Sequence, residues 1–564
     1  LSEAPPRFGS QRFRGILWRA LLGEPLRAAS GLYWFATRRR VRGWAWMLAA
    51  AANGPNSYKQ WIRSSEERVL ARYREAYPIR EGVPLIAWVM GDQSDETAGL
   101  RTVESLRFAF GDKLPIYADS LGPAGVDLPA PQLENLAAAL SFLLEKHPTA
   151  WLLVALGGDV VSPELGDILE RALQVHAKSH LLYWDEDTIG ASGRADPWVK
   201  PDWDESLFRR LGNLAGASIM ALDRAATIAQ SMPSAPIDQV SVERLSMTVA
   251  ADGVPSRPAH LCLILTHRAK RNALREECKP ARAASSAETW PSVSVLVPTR
   301  DRADLLADCL GGLETTAYRG AIELILIDNG SVEPTALRII ERVEACGGAK
   351  VIRDAGEFNF SRLNNVAAAA AAGEFLCLLN NDVEPLDPDW LTKMVSHAVD
   401  ESIGAVGAML LYPSGRIQHV GVAIGLGGAA GHVQKGVDPS DQRFWTWHRV
   451  TREVSAVTAA AMVVRKSTFL NVGGFDEVAF PIAFNDVDLC LRLKAAGLRN
   501  LYVAEARLLH RESESRGDDR SPEDARRFAS EIKALQERWQ TEGFADPHHS
   551  SLFSAVVEPC VLVP

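Results

Sequence analysis

Four stretches in the second half of the chain carry side chains suited to gripping a charged ligand and moving a proton. "VPTRDR" offers Thr299, Arg300 and Arg302 with the backbone amides around Pro298, a set that can meet a base or phosphates. "LIDNGS" offers Asp328 and Asn329 to a ribose or base. "EFLCLLNNDVEPLDP" ends an apolar run abruptly on Asn380, Asn381 and Asp382, where a carboxylate can hold a metal ion. "AFNDVDLCLRL" opens on Asn485, Asp486 and Asp488, and "LLHRES" follows with His510. Each stretch also has an ordinary explanation. Asn and Asp favour turns, and Asn485 and Asp488 stand three apart, as a helix-capping pair would. A single histidine after a strand is more often structural. Together, and in this order, the four favour one shared site.

The surrounding elements support that reading. "SVSVLVP" is strand-like and precedes a helix over 304–313, and "IELILIDNGS" precedes a helix over 334–346. "AKVIRD" leads into "FNFSRLNNVAAAAAAG", a helix whose alanines suit close packing on a sheet. The run 374–382, a helix over 388–399 and the strand "GAVGAMLLY" complete the pattern. Alternating strands and helices predict an α/β fold on a mostly parallel sheet covered on both faces. Ligands of such sheets bind beyond the carboxyl ends of the strands, and residues 298–302, 328–331 and 380–382 fall at such ends.

The first half alternates in the same way and echoes the second. "LLVALGGDVVSP" matches "FLCLLNNDVEPL", setting Asp159 against Asp382, and "IYADS" against "LIDNG" sets Asp119 against Asp328. "IDQVSVERL" over "NDVDLCLRL" pairs Asp238 with Asp486 and Arg244 with Arg492, and "LTHR" over "LLHR" pairs His267 with His510. We read an internal duplication. The expected organisation is a basic helical region over 1–78, a first α/β domain over 79–268 and a linker over 269–289. A second α/β domain over 290–545 and a tail over 546–564 follow.

A chain of 564 residues is too long for one core. Its 47% apolar and 23% charged content is ordinary for a globular protein, and a net charge of −9 argues against nucleic-acid binding. Residues 11–50 interleave arginines with Trp18, Trp34, Trp44 and Trp46. They read either as amphipathic helices at an anionic lipid surface or as a solvated helical pair packed on the next domain. The seven cysteines form no CxxC pair, which predicts a reduced, cytosolic chain without disulfides or a zinc knuckle. No apolar run reaches the ~18 residues of a membrane span. The chain begins at Leu1, so an upstream targeting piece is left open.

With "FNFSRLNN", "LLNNDVEPLDPDWL", "GAVGAMLLYPSGRIQHVGV", "GGFDE", "FNDVDLCLRLKAAG" and "LLHRESESRG", residues 290–545 resemble an inverting glycosyltransferase of family 2 with the GT-A nucleotide-sugar-binding fold. The likeness is to the rhamnosyltransferase and O-antigen or surface-polysaccharide branch. The first half is similar more faintly, through "YWDEDTIGASGRADPWVKPDWDESLF". The resemblance implies two tandem GT-A (Rossmann-like) domains, the first degenerate, preceded by the short basic helical region. It implies a UDP-, dTDP- or GDP-sugar donor, a glycan or lipid-linked acceptor, and Mg²⁺ or Mn²⁺. Asp382 corresponds to the last position of the family's Asp-x-Asp metal motif, with Asn380 where the first Asp often stands, and His510 to the additional ligand. Asp486 corresponds to the general base, its ionised form favoured by a helix N-terminus. Pro298, Thr299, Arg300, Arg302, Asp328, Asn329, Asn364, Asn380 and Asn381 would form the donor pocket. His432, Trp445, Trp447 and Asp488 would face the acceptor. The implied location is cytoplasmic, with residues 11–50 at the inner face of the membrane.

Other readings stay in play. One is a non-catalytic glycan-assembly scaffold, and another is an enzyme with both halves active. A sugar nucleotidyltransferase would want a glycine-rich phosphate loop that "VPTRDRADLL" lacks. "GLGGAAG" (425–431) matches a dinucleotide fingerprint in glycine spacing only, since no suitable helix follows. It reads as a loop near the acceptor.

Overall fold

The structure is a computed structural model. It describes residues 5–37, 39–54, 56–79, 82–91, 96–118, 128–129, 134–211, 214, 216–252, 257–269, 290–441, 448–511, 522–558 and 560–562. Asp119, Trp445, Trp447 and the linker beyond Ala269 lie outside the described residues. The chain divides into two compact units, one holding Ser2–Cys278 and the other Lys279–His549, with the C-terminal residues shared between them. The basic helical region clusters with the first unit.

In the N-terminal unit the strands are β1 (Leu85–Met90), β2 (Ile116–Ala118), β3 (Leu128–Pro129), β4 (Trp151–Leu156) and β5 (Val160–Val161). They continue as β6 (Leu181–Gly190), β7 (Gly193–Trp198), β8 (Ser218–Ala221) and β9 (Ala259–Arg268). Their order is β3-β2-β1-β4-β8-β6-β9-β5, with β7 on β6.

The C-terminal unit has β10 (Val293–Thr299), β11 (Ile322–Asp328), β12 (Lys350–Arg353), β13 (Phe375–Leu379), β14 (Val383–Pro385) and β15 (Ile403–Leu411). It continues with β16 (Ile417–His419), β17 (Val422–Ile424), β18 (Ala430–His432), β19 (Arg452–Val454), β20 (Ala461–Arg465) and β21 (Arg499–His510). The order β12-β11-β10-β13-β20-β15-β21-β14 repeats that of the first sheet, and each pairing has the same direction as its counterpart. Both sheets are mixed: β8 and β20 each run antiparallel to both neighbours. The remaining six strands of each path run in one direction, β15 and β21 (β6 and β9) being parallel, so "mostly parallel" holds with β20 and β14 (β8 and β5) reversed.

Every residue of β10 is buried, as a central strand covered on both faces must be. Val293, Val295 and Val297 join Leu306, Trp390 and Met394 in one core, bringing the helices Ala303–Glu314 and Trp390–Ala398 onto that face. The helix Phe360–Ala370 packs on β10 and β11, with Ala367 and Ala368 fully buried. Burying a valine or leucine of this core, such as Val295 or Leu306, stabilises the fold by about 1.5–3 kcal/mol.

The helices Gln11–Gly23, Pro25–Ala36 and Arg40–Ala52 pack on one another. The second and third cross at Gly31 and Gly43, where a Cβ on Gly43 would stand 2.6 Å from the Gly31 carbonyl oxygen. Trp44 is buried there, and Trp34 lies under the guanidinium groups of Arg39 and Arg42. Of the four tryptophans, only Trp18 and Trp46 are exposed. No helix among the described residues is long and apolar enough to cross a membrane, and the six described cysteines are free.

Candidate active site

The site is built on the strand ends of the C-terminal sheet. Thr299 and Asp328 are register partners at the tips of β10 and β11. Asp328 Oδ1 accepts from Ser331 N at 2.9 Å, closing a turn in which Gly330 takes φ +73°. Beside it, Asp301 and Arg302 are consecutive left-handed residues at φ 53° and 49°, a conformation that L side chains rarely adopt. The carboxylate of Asp301 compensates: its Oδ1 accepts from Val332 N (2.6 Å) and Glu333 N (2.7 Å), and its own N–H donates to Ser331 Oγ. Those backbone donors hold the Asp301 carboxyl below the usual range. Asp301 thus ties the loops after β10 and β11 together, a role the sequence did not reveal.

Asn381 Nδ2 donates to Thr299 Oγ1 at 3.2 Å, carrying the connection to the end of β13. Asp382 sits between β13 and β14. Val383 is the register partner of His510 on β21, which sets Asp382 Oδ1 3.2 Å from His510 Nε2. Both residues are buried. Two ligands bonded at about 2.1 Å to one octahedral ion stand roughly 3.0 Å apart, so this pair fits a shared small divalent cation. Asn380 Oδ1 and His510 Nδ1 are buried and find no hydrogen-bond partner among the described residues. Neighbouring Cys309 is a core thiol, pushed up to about 12 by burial and then by the nearby carboxylates of Asp382 and Glu384.

Asp486 lies in the first turn of the helix Asn485–Ala495, which starts from Phe484 at φ 59°. Glu531 steers that approach: its Oε1 accepts from Ile482 N and Ala483 N, both at 2.9 Å. Asp486 Oδ2 accepts from Ala459 N (3.0 Å) and Oδ1 from Val487 N (2.8 Å). Burial nevertheless raises its pKa above the ordinary aspartate value, outweighing the backbone donors and Thr458. Asp486 does lie at the helix N-terminus, as expected, and there burial works against the ionised form.

A short loop joins the two halves of the site. Ala460 O accepts from Asn380 N at 3.0 Å, Ala459 N reaches Asp486, and Thr458 N donates to His419 Nε2 at 3.4 Å. Asn380, two residues before Asp382, and Asp486 thus attach to adjacent residues of one segment. His419, also missed in the sequence, is fully buried and neutral. Burial first, then His432, Arg452 and His510, holds it well below the usual imidazole range. Its Nδ1 stands 2.9 Å from His432 Nδ1, so His432 belongs to the same cluster.

Other expected site residues serve structure. Asp488 is wholly buried and accepts from Arg492 Nε, Arg538 Nη1 and Trp539 Nε1 at 2.8–2.9 Å, so it anchors the helix Pro522–Trp539 rather than an acceptor. Asn364 is wholly buried with Nδ2 on Phe360 O, which removes it from the donor pocket. Asn329 donates to Asp354 O and Gly356 O, and Pro298 lies within β10 paired to Ile327. Arg302 forks onto Asp304, whereas Arg300 is exposed. The glycines of 425–431 connect the paired strands β17 and β18, not a strand to a helix.

Residues 294–422 match the family model described as glycosyl transferase family 2. The matched segment runs from the first strand of the C-terminal unit to β17, and over it the chain is similar to that family. The chain is 32% identical over 451 residues to the uncharacterized protein y4gI of Sinorhizobium fredii (strain NBRC 101917 / NGR234), covering 74% of this chain and 50% of that protein. It is 32% identical over 400 residues to the O-antigen biosynthesis protein RfbC of Myxococcus xanthus, covering 65% and 31%. Over 228 residues it is 25% identical to an N-acetylglucosaminyl-diphospho-decaprenol L-rhamnosyltransferase of Mycobacterium tuberculosis (strain ATCC 25618 / H37Rv), covering 35% and 69%. The chain spans half or less of the first two relatives. A mannosyltransferase from Pyrobaculum calidifontis, solved with GDP-Man and Mn2+, superposes with a TM-score of 0.33 at 18% identity, covering 47% of this chain and 70% of that one, too low a score to bear on this chain.

Proposed function

We propose that the C-terminal unit transfers a sugar, with inversion, from a nucleotide-sugar donor to a growing surface polysaccharide or lipid-linked glycan. The observation that carries this reading is the buried Asp382–His510 pair beside the strand ends, with the loop Thr458–Ala460 bonded both to the backbone of Asn380, two residues before Asp382, and to the half-buried Asp486 carboxylate. The names of two relatives, an O-antigen biosynthesis protein and a rhamnosyltransferase, support the substrate class.

Asp382 and His510 would hold a Mg²⁺ or Mn²⁺ ion, with the Asn380 carbonyl oxygen beside them. The imidazole tilts the choice towards Mn²⁺. When bound, such an ion offsets the negative charge that grows on a departing diphosphate. Thr299, Asp328 and Arg300 would position the nucleotide, and Arg302 would join them on leaving Asp304. Asp486 takes the proton of the acceptor hydroxyl, and attack from the face opposite the leaving group inverts the anomeric carbon. His432 would face the acceptor, with the buried His419 packed against it. A screen of UDP-, dTDP- and GDP-sugars for metal-dependent turnover tests the reading. Absence of both transfer and donor hydrolysis with every sugar would favour the scaffold alternative.

The N-terminal unit is proposed as a degenerate copy. Val160 pairs with His267 as Val383 pairs with His510, so Asp159 and Asp382 are counterparts. Yet Asp159 is held by Arg268 at 2.8 Å and by Ala269 N, while His267 Nδ1 turns to Asp187 at 2.6 Å. Arg268 also bonds Glu186 at 2.8 Å, so a guanidinium stands where a cation would. Asp238 merely caps its helix by accepting from Ser241 N. Asp159→Ala is therefore expected to leave turnover per folded molecule unchanged while lowering thermal stability, because breaking a buried ion pair costs about 3–5 kcal/mol. Loss of transfer in that variant would assign chemistry to the first unit.

Residues 11–50 are proposed to rest on an anionic lipid surface. Phe8, Trp18, Leu22 and Leu26 are exposed, as are Arg7, Arg12 and Arg14 in the same helical region. The chain should co-sediment with phosphatidylglycerol vesicles at low salt, and not with phosphatidylcholine ones. Trp18→Ala with Leu26→Ala should weaken that binding, and equal binding to both lipids or none to either would exclude the electrostatic contact.

A further inference from the structure

The N-terminal unit holds a second cluster of ligand-type side chains, apart from the Asp159 position. His260 and Cys262 stand two apart on β9 and so share one face of the sheet. Asp202 lies in the segment after β7. His260 Nδ1 is 3.3 Å from Asp202 Oδ1 and 3.4 Å from Cys262 Sγ, and one donor atom from each residue lies within 4.8 Å of the others. The nitrogen–oxygen separation is long for a hydrogen bond, whose usual value is about 2.9–3.0 Å. Two ligands of one tetrahedral zinc ion, at bond lengths of about 2.0–2.3 Å, stand roughly 3.3–3.6 Å apart.

The ring of His260 is fixed for such a task. Nε2 lies 2.9 Å from Oδ1 of Asp185, a fully buried carboxylate that also accepts from Lys200 N. With the Nε2 proton donated there, Nδ1 keeps its lone pair towards Asp202 and Cys262, the arrangement by which a carboxylate orients a metal-binding histidine. Tyr183 stacks on the ring at 4.8 Å and 13°, and its hydroxyl donates to Pro201 O, which steadies the residue before Asp202. The cluster is particular to this unit. Tyr183 is the register partner of His260, and Ala408 that of Val503, which precedes His510 by as many residues as His260 precedes His267. The His260 side chain, only 1% exposed where the sister strand has Val503, costs free energy unless its nitrogens are satisfied. The Asp202 side chain is 55% exposed, which leaves a way in for an ion and room for a water.

We propose that Asp202, His260 Nδ1 and Cys262 Sγ form a zinc site, with water as the fourth ligand. Thiolate and imidazole select zinc over magnesium or calcium. Binding displaces the thiol proton and stabilises the folded unit by linkage. The site is independent of the proposed transfer reaction.

The test uses the full chain, stripped with a chelator and titrated with Co²⁺ and then Zn²⁺. Cobalt should give a thiolate-to-metal charge-transfer band that zinc bleaches, and zinc should raise the unfolding temperature. The band reports a sulfur ligand, so an ion at Asp382 and His510 does not contribute to it. Cys262→Ser should abolish the band. Asp202→Asn, a change at an exposed side chain, should weaken zinc binding by at least about 10–100-fold, the range that even an outer-shell partner commands. No band in the unaltered chain, or a band that survives Cys262→Ser, would overturn the assignment and leave His260 as an imidazolium between two carboxylates.

Discussion

Asp486→Asn is expected to lower kcat by about 10²–10⁴-fold, the usual contribution of a positioned general base, while the donor KM holds. Both oxygens of Asp486 already accept backbone donors, from Ala459 and Val487, so the side chain is oriented before any acceptor arrives. The amide retains the shape and one acceptor oxygen but cannot take a proton. The pH profile gives a second readout. Burial raises the pKa of Asp486 above the ordinary aspartate value of 3.8, so the unreactive protonated form persists to higher pH than in a solvated carboxylate. Turnover should rise with pH through that raised pKa and level off above it, and the variant should lose this limb. A variant that keeps both rate and profile would place the base elsewhere.

Asp382→Ala should abolish metal-dependent transfer, with a loss on the order of a thousandfold if the ion supplies about 4 kcal/mol of transition-state stabilisation. His510→Ala should be milder, shifting activity to higher Mn²⁺ concentration, since one ligand of the 3.2 Å pair remains. Titrating Mn²⁺ against turnover in both variants separates the two effects. If Asp382→Ala lowered activity equally at every Mn²⁺ concentration while Mn²⁺ affinity stayed unchanged, its role would be structural.

Much of this arrangement is legible in residue patterns. "SVSVLVP" and "IELILID" are strands, and the predicted helices over 304–313, 334–346 and 388–399 appear as Ala303–Glu314, Pro334–Ala345 and Trp390–Ala398. The polar residues closing each apolar run fall at strand ends for the reason anticipated. Strand direction is not legible, because "AMVVR" in β20 is buried on both faces and reads alike whichever way it runs. Asp486 and Asp488 look equivalent in sequence, yet two steps along a helix turn side chains to opposite sides. Asp488 consequently meets Arg492, Arg538 and Trp539, whose approach no local pattern announces. His419 is silent for a similar reason: its neighbours His432, at the end of β18, and Thr458, in a loop, come from separate segments.

The lashing of Val332 and Glu333 to the Asp301 carboxylate bears on any attempt to re-engineer donor choice. The lips of the cleft beyond β10 and β11 form a single mechanical piece, so a loop grafted from another enzyme at one lip alone would arrive without its clasp. Such chimeras should be exchanged as matched pairs, with an aspartate kept at 301 or its left-handed turn redesigned.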